Sequence, residues 1–318
     1  MGRGRWNRAR WIATITPVVL SACASVSGPG SAPPASAQAT AVAPARTAVA
    51  ASFAAASADG SSAPAAATTQ AAPAASGHTA VYFHTLAPGA KLPSDAQCAR
   101  LVNAAPRREN KAANEPFNRR KGTHVGAKFF PTAPGSDNPL AEKTLAPRID
   151  GDFTGTTIDI LRWTACKWGV DQDIVFAQAA VESWWQQDTL GDFGTSAAAC
   201  LPGHQIGQDG KPGLCPQSYG ILQNRYPYEN GGWPAIATST AMNADAAYAI
   251  WRACYDGYEI WLNSAQRGTQ YNRGDAWGCV GRWFAGRWRT APALGYIARV
   301  QQYEREKIWL TPNFTQLG

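Results

Sequence analysis

Large apolar side chains are confined to one part of this chain, and that limits where a core can form. Eleven of the thirteen Trp lie between Trp163 and Trp309. Residues up to about Thr79 are mostly Ala, Ser, Pro, Thr and Gly. Such a stretch has too little apolar area to offset the entropy of ordering, so the folded unit is expected to begin near Val81.

The N-terminus carries export features. Arg3, Arg5, Arg8 and Arg10 precede a short apolar run, Trp11 to Leu20. That run is too short for a comfortable membrane span and suits a signal segment. It ends in Leu20-Ser21-Ala22-Cys23, which resembles the lipobox of bacterial lipoproteins. The resemblance implies lipidation at Cys23 and a membrane anchor. An ordinary secretory signal cleaved near Ala22 or Ala24 is the alternative. Residues 24–80 then read as a disordered tether, spanning about 40 Å on average. The net charge of +7 suits an acidic polymer outside the cytoplasm. Nucleic acid is not expected as a partner in that compartment. No cofactor is expected, and the protein is expected to be a monomer.

Six cysteines remain besides Cys23. In an oxidising compartment they are expected to pair. Many connectivities are open to sequence alone. Proximity favours Cys200–Cys215 and Cys254–Cys279, which leaves Cys98–Cys166. No Cys-x-x-Cys pair occurs, so zinc is not expected.

The unit from 81 to 318 reads as mainly α. Residues 81–150 are expected to wrap a helical core formed by 151–318. Ser94 or Asp95 caps a first helix before Cys98. Arg107 to Lys121 reads as an extended basic segment, and Arg107, Arg108, Arg119 and Arg120 are substrate-contact candidates within it. Ile158, Ile160, Leu161, Ala165 and Trp168 form one helical face, which Gly169 stops. Asp171 caps a second helix carrying Ile174, Ala177, Val181 and Trp184. An irregular loop follows from Gly191 to Pro216. A third helix is predicted from about Ala244 to Asn263, with Asn243 opening it. A fourth lies around Trp277 to Phe284. A fifth begins after Pro292, with Leu294, Ile297, Val300, Tyr303 and Ile308 on its apolar face. Trp184, Trp185, Trp233 and Trp288 read mostly as core.

Glu182 stands beside the apolar face of the second helix, next to Trp184 and Trp185. A carboxyl held against aromatic rings is poorly solvated as an anion, so its pKa rises and it can donate a proton. An isolated Glu on an amphipathic helix is ordinarily only a boundary residue.

The surrounding letters are more specific. Ala180-Val181-Glu182-Ser183-Trp184-Trp185 resembles the Glu-Ser-aromatic motif of the lytic transglycosylase and goose-type lysozyme superfamily. Ser218-Tyr219-Gly220-Ile221-Leu222-Gln223 is similar to its second motif, whose core is Gly-Leu-Met-Gln. Asn243 resembles the Asn before the family's long central helix. Trp283-Phe284-Ala285-Gly286 resembles its Tyr-Asn-Ala-Gly motif, with Phe284 replacing the polar Asn. Tyr271-Asn272-Arg273-Gly274 is closer letter by letter, but it precedes the Trp277 helix rather than following it. Gly295-Tyr296-Ile297-Ala298-Arg299-Val300 matches the late Tyr-Val-x-x-Val helix. These matches run in the family's order over residues 155–309.

The resemblance implies a lysozyme-like fold that cleaves peptidoglycan glycan strands, with Glu182 as catalytic acid. It further implies substrate contacts from Ser183, Tyr219, Gly220, Gln223, Asn243, Trp283, Phe284 and Tyr296. A hydrolytic, inverting lysozyme would need a second carboxylate to activate water across the ring. Asp188, Asp192 and Asp209 are the candidates, each otherwise readable as a solvated loop residue. A non-hydrolytic transglycosylase is the leading expectation. A hydrolytic muramidase, a non-catalytic peptidoglycan-binding lipoprotein and action on a related glycan such as chitin stay open.

Overall fold

Ser94 Oγ accepts the Gln97 N–H and so starts the first helix, α1 (Asp95–Asn103). In this computed structural model the described residues are 80–126, 128–130, 138–263 and 270–316. The expected signal segment, Cys23 and nearly all of the expected tether lie outside them. A 3-10 turn at Ala80–Phe83 precedes α1. Two short helices follow, α2 (Glu115–Asn118) and α3 (Pro139–Thr144). The expected extended segment from Arg107 to Lys121 therefore contains helical turns, at Ala112–Asn114 and in α2.

α4 (Thr157–Trp168) is capped by Thr156 and ended by Gly169 at φ 58°. α5 (Gln172–Ser183) is capped by Asp171. Three very short strands come next: β1 (Leu190–Gly191), β2 (Ser218–Tyr219) and β3 (Asn224–Arg225). They form one antiparallel sheet in the order β1-β2-β3, with Leu190 opposite Tyr219 and Tyr219 opposite Asn224. This sheet is not evident from sequence, because two-residue strands show no alternation.

α6 (Ala235–Thr238) leads into α7 (Thr240–Tyr255). α7 starts before the expected Ala244 and ends at Tyr255, with a separate 3-10 turn at Ile260–Asn263. Gly257, at φ 91°, breaks the helix where the apolar letters continue. α8 (Ala276–Ala285) is capped by Asp275. α9 (Ala291–Glu306) already includes Pro292, and α10 (Pro312–Gln316) closes the described chain. Leu294 is 46% exposed, contrary to its expected place on the apolar face of α9. Ile308 falls beyond α9, in a 3-10 turn.

α7 is buried along its whole length, which places it at the centre of the helical layer. It packs on α4, α6 and α8, while α5 packs on α4 and α9. Its buried Asn243, Asp245 and Arg252 are all hydrogen-bonded, as burial requires, while the Thr240 hydroxyl has no partner. Asp245 accepts from Asp150 N, Gly151 N, Lys167 Nζ and Trp168 Nε1 at 2.8–3.0 Å. Arg252 holds Asp256 and the carbonyls of Leu86 and Ala87. The segment from 80 to 150 thus packs on α4 and α7 through polar ties as well as apolar ones. Lys111 adds a buried bond to Phe314 O, and Asn114 donates to Trp185 O at 2.6 Å.

Three disulfides join the pairs favoured above. Cys98–Cys166 links α1 to α4, and Cys254–Cys279 links α7 to α8. Cys200–Cys215 closes the loop between β1 and β2, with a sequence separation of 15. A loop of that length gives about 3 kcal/mol on the chain-entropy account. Trp185 and Trp288 are fully buried, while Trp184 and Trp233 are half-buried against the core.

Candidate functional site

α5 ends one residue after Glu182, and two left-handed residues turn the chain sharply there. Trp184 and Trp185 have φ of 58° and 62°. Left-handed backbone is unfavourable for bulky residues, by roughly 1–3 kcal/mol each, unless the surroundings hold it. Here packing holds it. Trp185 Nε1 donates to Phe176 O at 2.8 Å, and its ring lies against Phe176, Trp309 and Phe314. Trp184 packs on Tyr303 and Phe314. The turn leaves the Glu182 carboxyl at the helix end, half-buried.

A hydrogen-bond chain fixes that carboxyl. Tyr296 on α9 donates its hydroxyl to Glu182 Oε1. Gln178, one turn before Glu182, bonds Tyr296 and accepts from the Tyr248 hydroxyl at 3.0 Å. Trp283 Nε1 donates to Leu222 O at 3.2 Å and also reaches the Glu182 carboxylate.

Burial pushes the Glu182 pKa up to about 7. The Tyr296 and Trp283 donors oppose that rise, and the nearby Asp192 charge adds to it. Tyr296 and Tyr248 are held above the ordinary phenol range, first by burial and then by Glu182. Both phenols are therefore donors rather than anions near neutral pH.

The turn after β2 is held beside Glu182 by three side chains. Ser183 Oγ donates to Ile221 O at 2.8 Å. Gln187 Oε1 accepts from Ile221 N at 3.1 Å. Asn243 Oδ1 accepts from Leu222 N at 2.9 Å, and its amide donates to Tyr219 O and Ile236 O.

These bonds correct several expected roles. Asn243 does not open α7, because Ser239 is the cap. Fully buried within α7, it clamps the turn. Ser183 is likewise committed to backbone. Tyr219 is 1% exposed, donates to Pro216 O, and packs between His204 and Trp233. Gly220 is demanded by packing: a Cβ there would lie 2.2 Å from Asn243 Nδ2 and 2.6 Å from Gln187 Nε2. Its φ of 82° points the same way. Gln223 is half-buried and donates to Thr189 O and Gly220 O. Of the expected contact residues, Trp283, Phe284 and Tyr296 stand with Glu182.

Among the acidic loop residues, Asp192 is the one close enough to influence Glu182. Its carboxylate accepts from Ser218 Oγ at 2.7 Å and lies 3.8 Å from Arg225 Nη1. Asp209 is paired with His204 at 2.9 Å and largely covered, contrary to a solvated reading. Arg119, a candidate for substrate contact, is paired with Glu115 at 2.6 Å.

Sequence reading missed Gln178, Gln187 and Tyr248. Gln178 carried a usable signal, since it sits four residues before Glu182 on the same helical face.

The raised carboxyl has a consequence for stability. Glu182 keeps its proton in the folded chain to about pH 7, against 4.5 for the ordinary group. A raised carboxyl pKa costs nothing below the unfolded value, destabilises increasingly from there up to the folded value, and adds no further cost above it. Glu182→Gln does not titrate. Its stability advantage is expected to grow from pH 4 to pH 8, to at most about 3 kcal/mol. Urea unfolding at both values checks this; an equal difference at pH 4 and pH 8 would show an unperturbed carboxyl.

Compared with known families, curated proteins and solved structures, the chain matches no family model, no curated protein and no solved structure.

Proposed function

We propose that this chain has a lysozyme-like fold and cleaves the β-1,4 bond between N-acetylmuramic acid and N-acetylglucosamine in peptidoglycan, with Glu182 as the proton donor. One observation carries the reading. A carboxyl with a pKa of about 7 sits at a helix end, oriented by Tyr296 and bordered by Trp283. A glycosidic oxygen needs such a donor in order to leave.

In the non-hydrolytic route Glu182 protonates the glycosidic oxygen as the C1–O bond breaks. The acetamido oxygen of the same sugar stabilises the cation-like C1. Glu182, now anionic, takes the proton of the sugar's 6-hydroxyl as that oxygen bonds to C1. The product is a 1,6-anhydro end, and one carboxyl serves both steps. Trp283 offers ring surface for the sugars. The export segment and the Cys23 lipid anchor belong to the same proposal, since they would bring the domain to the wall.

Asp192 favours a second reading, hydrolysis. Its charge is felt at Glu182, and Ser218 orients its carboxylate. That group is able to activate a water on the far side of the sugar ring. Digesting purified peptidoglycan with the full-length chain and weighing the released sugars separates the readings. Anhydro ends are expected. Reducing ends would make it a muramidase, and their loss in Asp192→Asn would assign Asp192 as base. Binding without any release would leave a glycan-binding module.

A further inference from the structure

Phe284 is the position at which the chain departs from the Tyr-Asn-Ala-Gly pattern, and its surroundings are specific. It precedes the last residue of α8, whose end is fixed by Gly286 at φ 56°. Its side chain is 57% exposed, unusual for a Phe. The ring nevertheless has a defined partner. It lies parallel to the Tyr296 ring, with an interplanar angle of 4° and centroids 4.8 Å apart. That is the offset-stacked geometry aromatic pairs prefer. Gly281 permits the close approach of α8 and α9 that brings the rings together, since a Cβ there would meet Ile297 Cδ1 at 2.8 Å. The far end of the covered ring is the hydroxyl that donates to Glu182 Oε1.

We infer that Phe284 is a positioning residue: stacked on Tyr296, it shields that ring from water and keeps the Tyr296 hydroxyl on Glu182. The inference rests on the reading of Glu182 as proton donor, but its first readout does not need glycan cleavage. The groups facing Glu182 are Tyr296 from α9, Tyr248 from α7, Asp192 after β1, Trp283 from α8 and Gln178 on its own helix. Of these, Phe284 touches Tyr296. The Tyr296 bond lowers the Glu182 pKa, so loosening it raises that pKa.

The test uses the full-length chain with carboxyl-labelled glutamate, read by carbon NMR, and Glu182→Gln to assign the signal. Phe284→Ala and Phe284→Asn are expected to move the Glu182 midpoint upward by roughly half to one pH unit. Phe284→Tyr keeps the stack and is expected to restore the wild-type midpoint. On peptidoglycan, the Ala variant is expected to lower kcat several-fold and move the alkaline limb upward, with a smaller change in KM. An unmoved midpoint with a raised KM would overturn the inference and make Phe284 a direct sugar platform. An unmoved midpoint with unchanged kinetics would overturn it as well. A moved midpoint in a chain that cuts no glycan would uphold the coupling and sink the enzyme reading alone.

Discussion

Peptidoglycan treated with Glu182→Gln is expected to release soluble sugars roughly 10²–10⁴-fold more slowly than with the unchanged chain, the usual contribution of a positioned general acid. The substitution is nearly isosteric. The amide oxygen still accepts the Tyr296 hydroxyl, so the helix end and the turn after β2 have no reason to move. What is lost is a proton that can be given and taken back. In the non-hydrolytic route the loss acts twice, because the same carboxyl leaves its proton on the departing oxygen and then collects one from the 6-hydroxyl. The pH dependence of the unchanged chain follows from the same group. Glu182 must be protonated at the start, so the rate should fall as pH rises through about 7. A Gln variant that binds peptidoglycan normally and cuts at the wild-type rate would remove Glu182 from the chemistry. Intact disulfides and an unchanged circular dichroism spectrum would show that the variant had folded.

The parts of the fold legible in sequence were those set by short-range signals. Gly169 ends α4 and Asp171 starts α5, both legible because caps act within a few residues. α7 was harder. Ser239 caps it, but Asn243 looked like a cap, and its real partners are Tyr219, Leu222 and Ile236, far away in sequence. At the other end, Ile260, Trp261 and Leu262 continued the apolar letters past Gly257, which broke the helix. The small sheet lacked any signal of its own, since long-range bonds from Gln187 and Asn243 hold its turn.

The site divides in the same way. Glu182 and Tyr296 were found because a resemblance named them, and the geometry brings them together. Ser183, Gly220 and Asn243 were named by the same resemblance, yet their atoms are spent on holding backbone. A motif marks positions that matter without saying whether they face the ligand or the scaffold. Gln178 and Tyr248 stand in no quoted motif, and only the packing of α5 on α9 and of α4 on both α5 and α7 explains them.

Asp245→Ala is expected to cost about 3–5 kcal/mol, as breaking a buried ion pair from one side does. Lys167 is fully buried between Asp245, Asp150 and Asp95, at 2.9, 2.9 and 3.1 Å. Burial works against its ammonium, but the three carboxylates outweigh burial and raise its pKa. Of the three, Asp245 is the fully buried one, and it also accepts from Trp168 Nε1, Asp150 N and Gly151 N. Truncation leaves these donors without their acceptor, beside a cation that cannot reach water. Asp245→Asn should cost less: its oxygen can keep the three donors on Oδ2, but its amide meets Trp168 Nε1 donor to donor. Urea unfolding with the disulfides intact measures both variants. A loss below about 1 kcal/mol for Ala would show that Lys167 is served by Asp150 and Asp95 alone. The loss should also reach the site. Asp245 pins α7 to α4, and two residues earlier Asn243 pins the turn at Leu222, whose carbonyl receives Trp283 beside Glu182. Loss of activity at temperatures where the Ala variant is still folded would therefore show that the ion cluster holds the position of Leu222 and Trp283 beside Glu182 as well as the stability of the core.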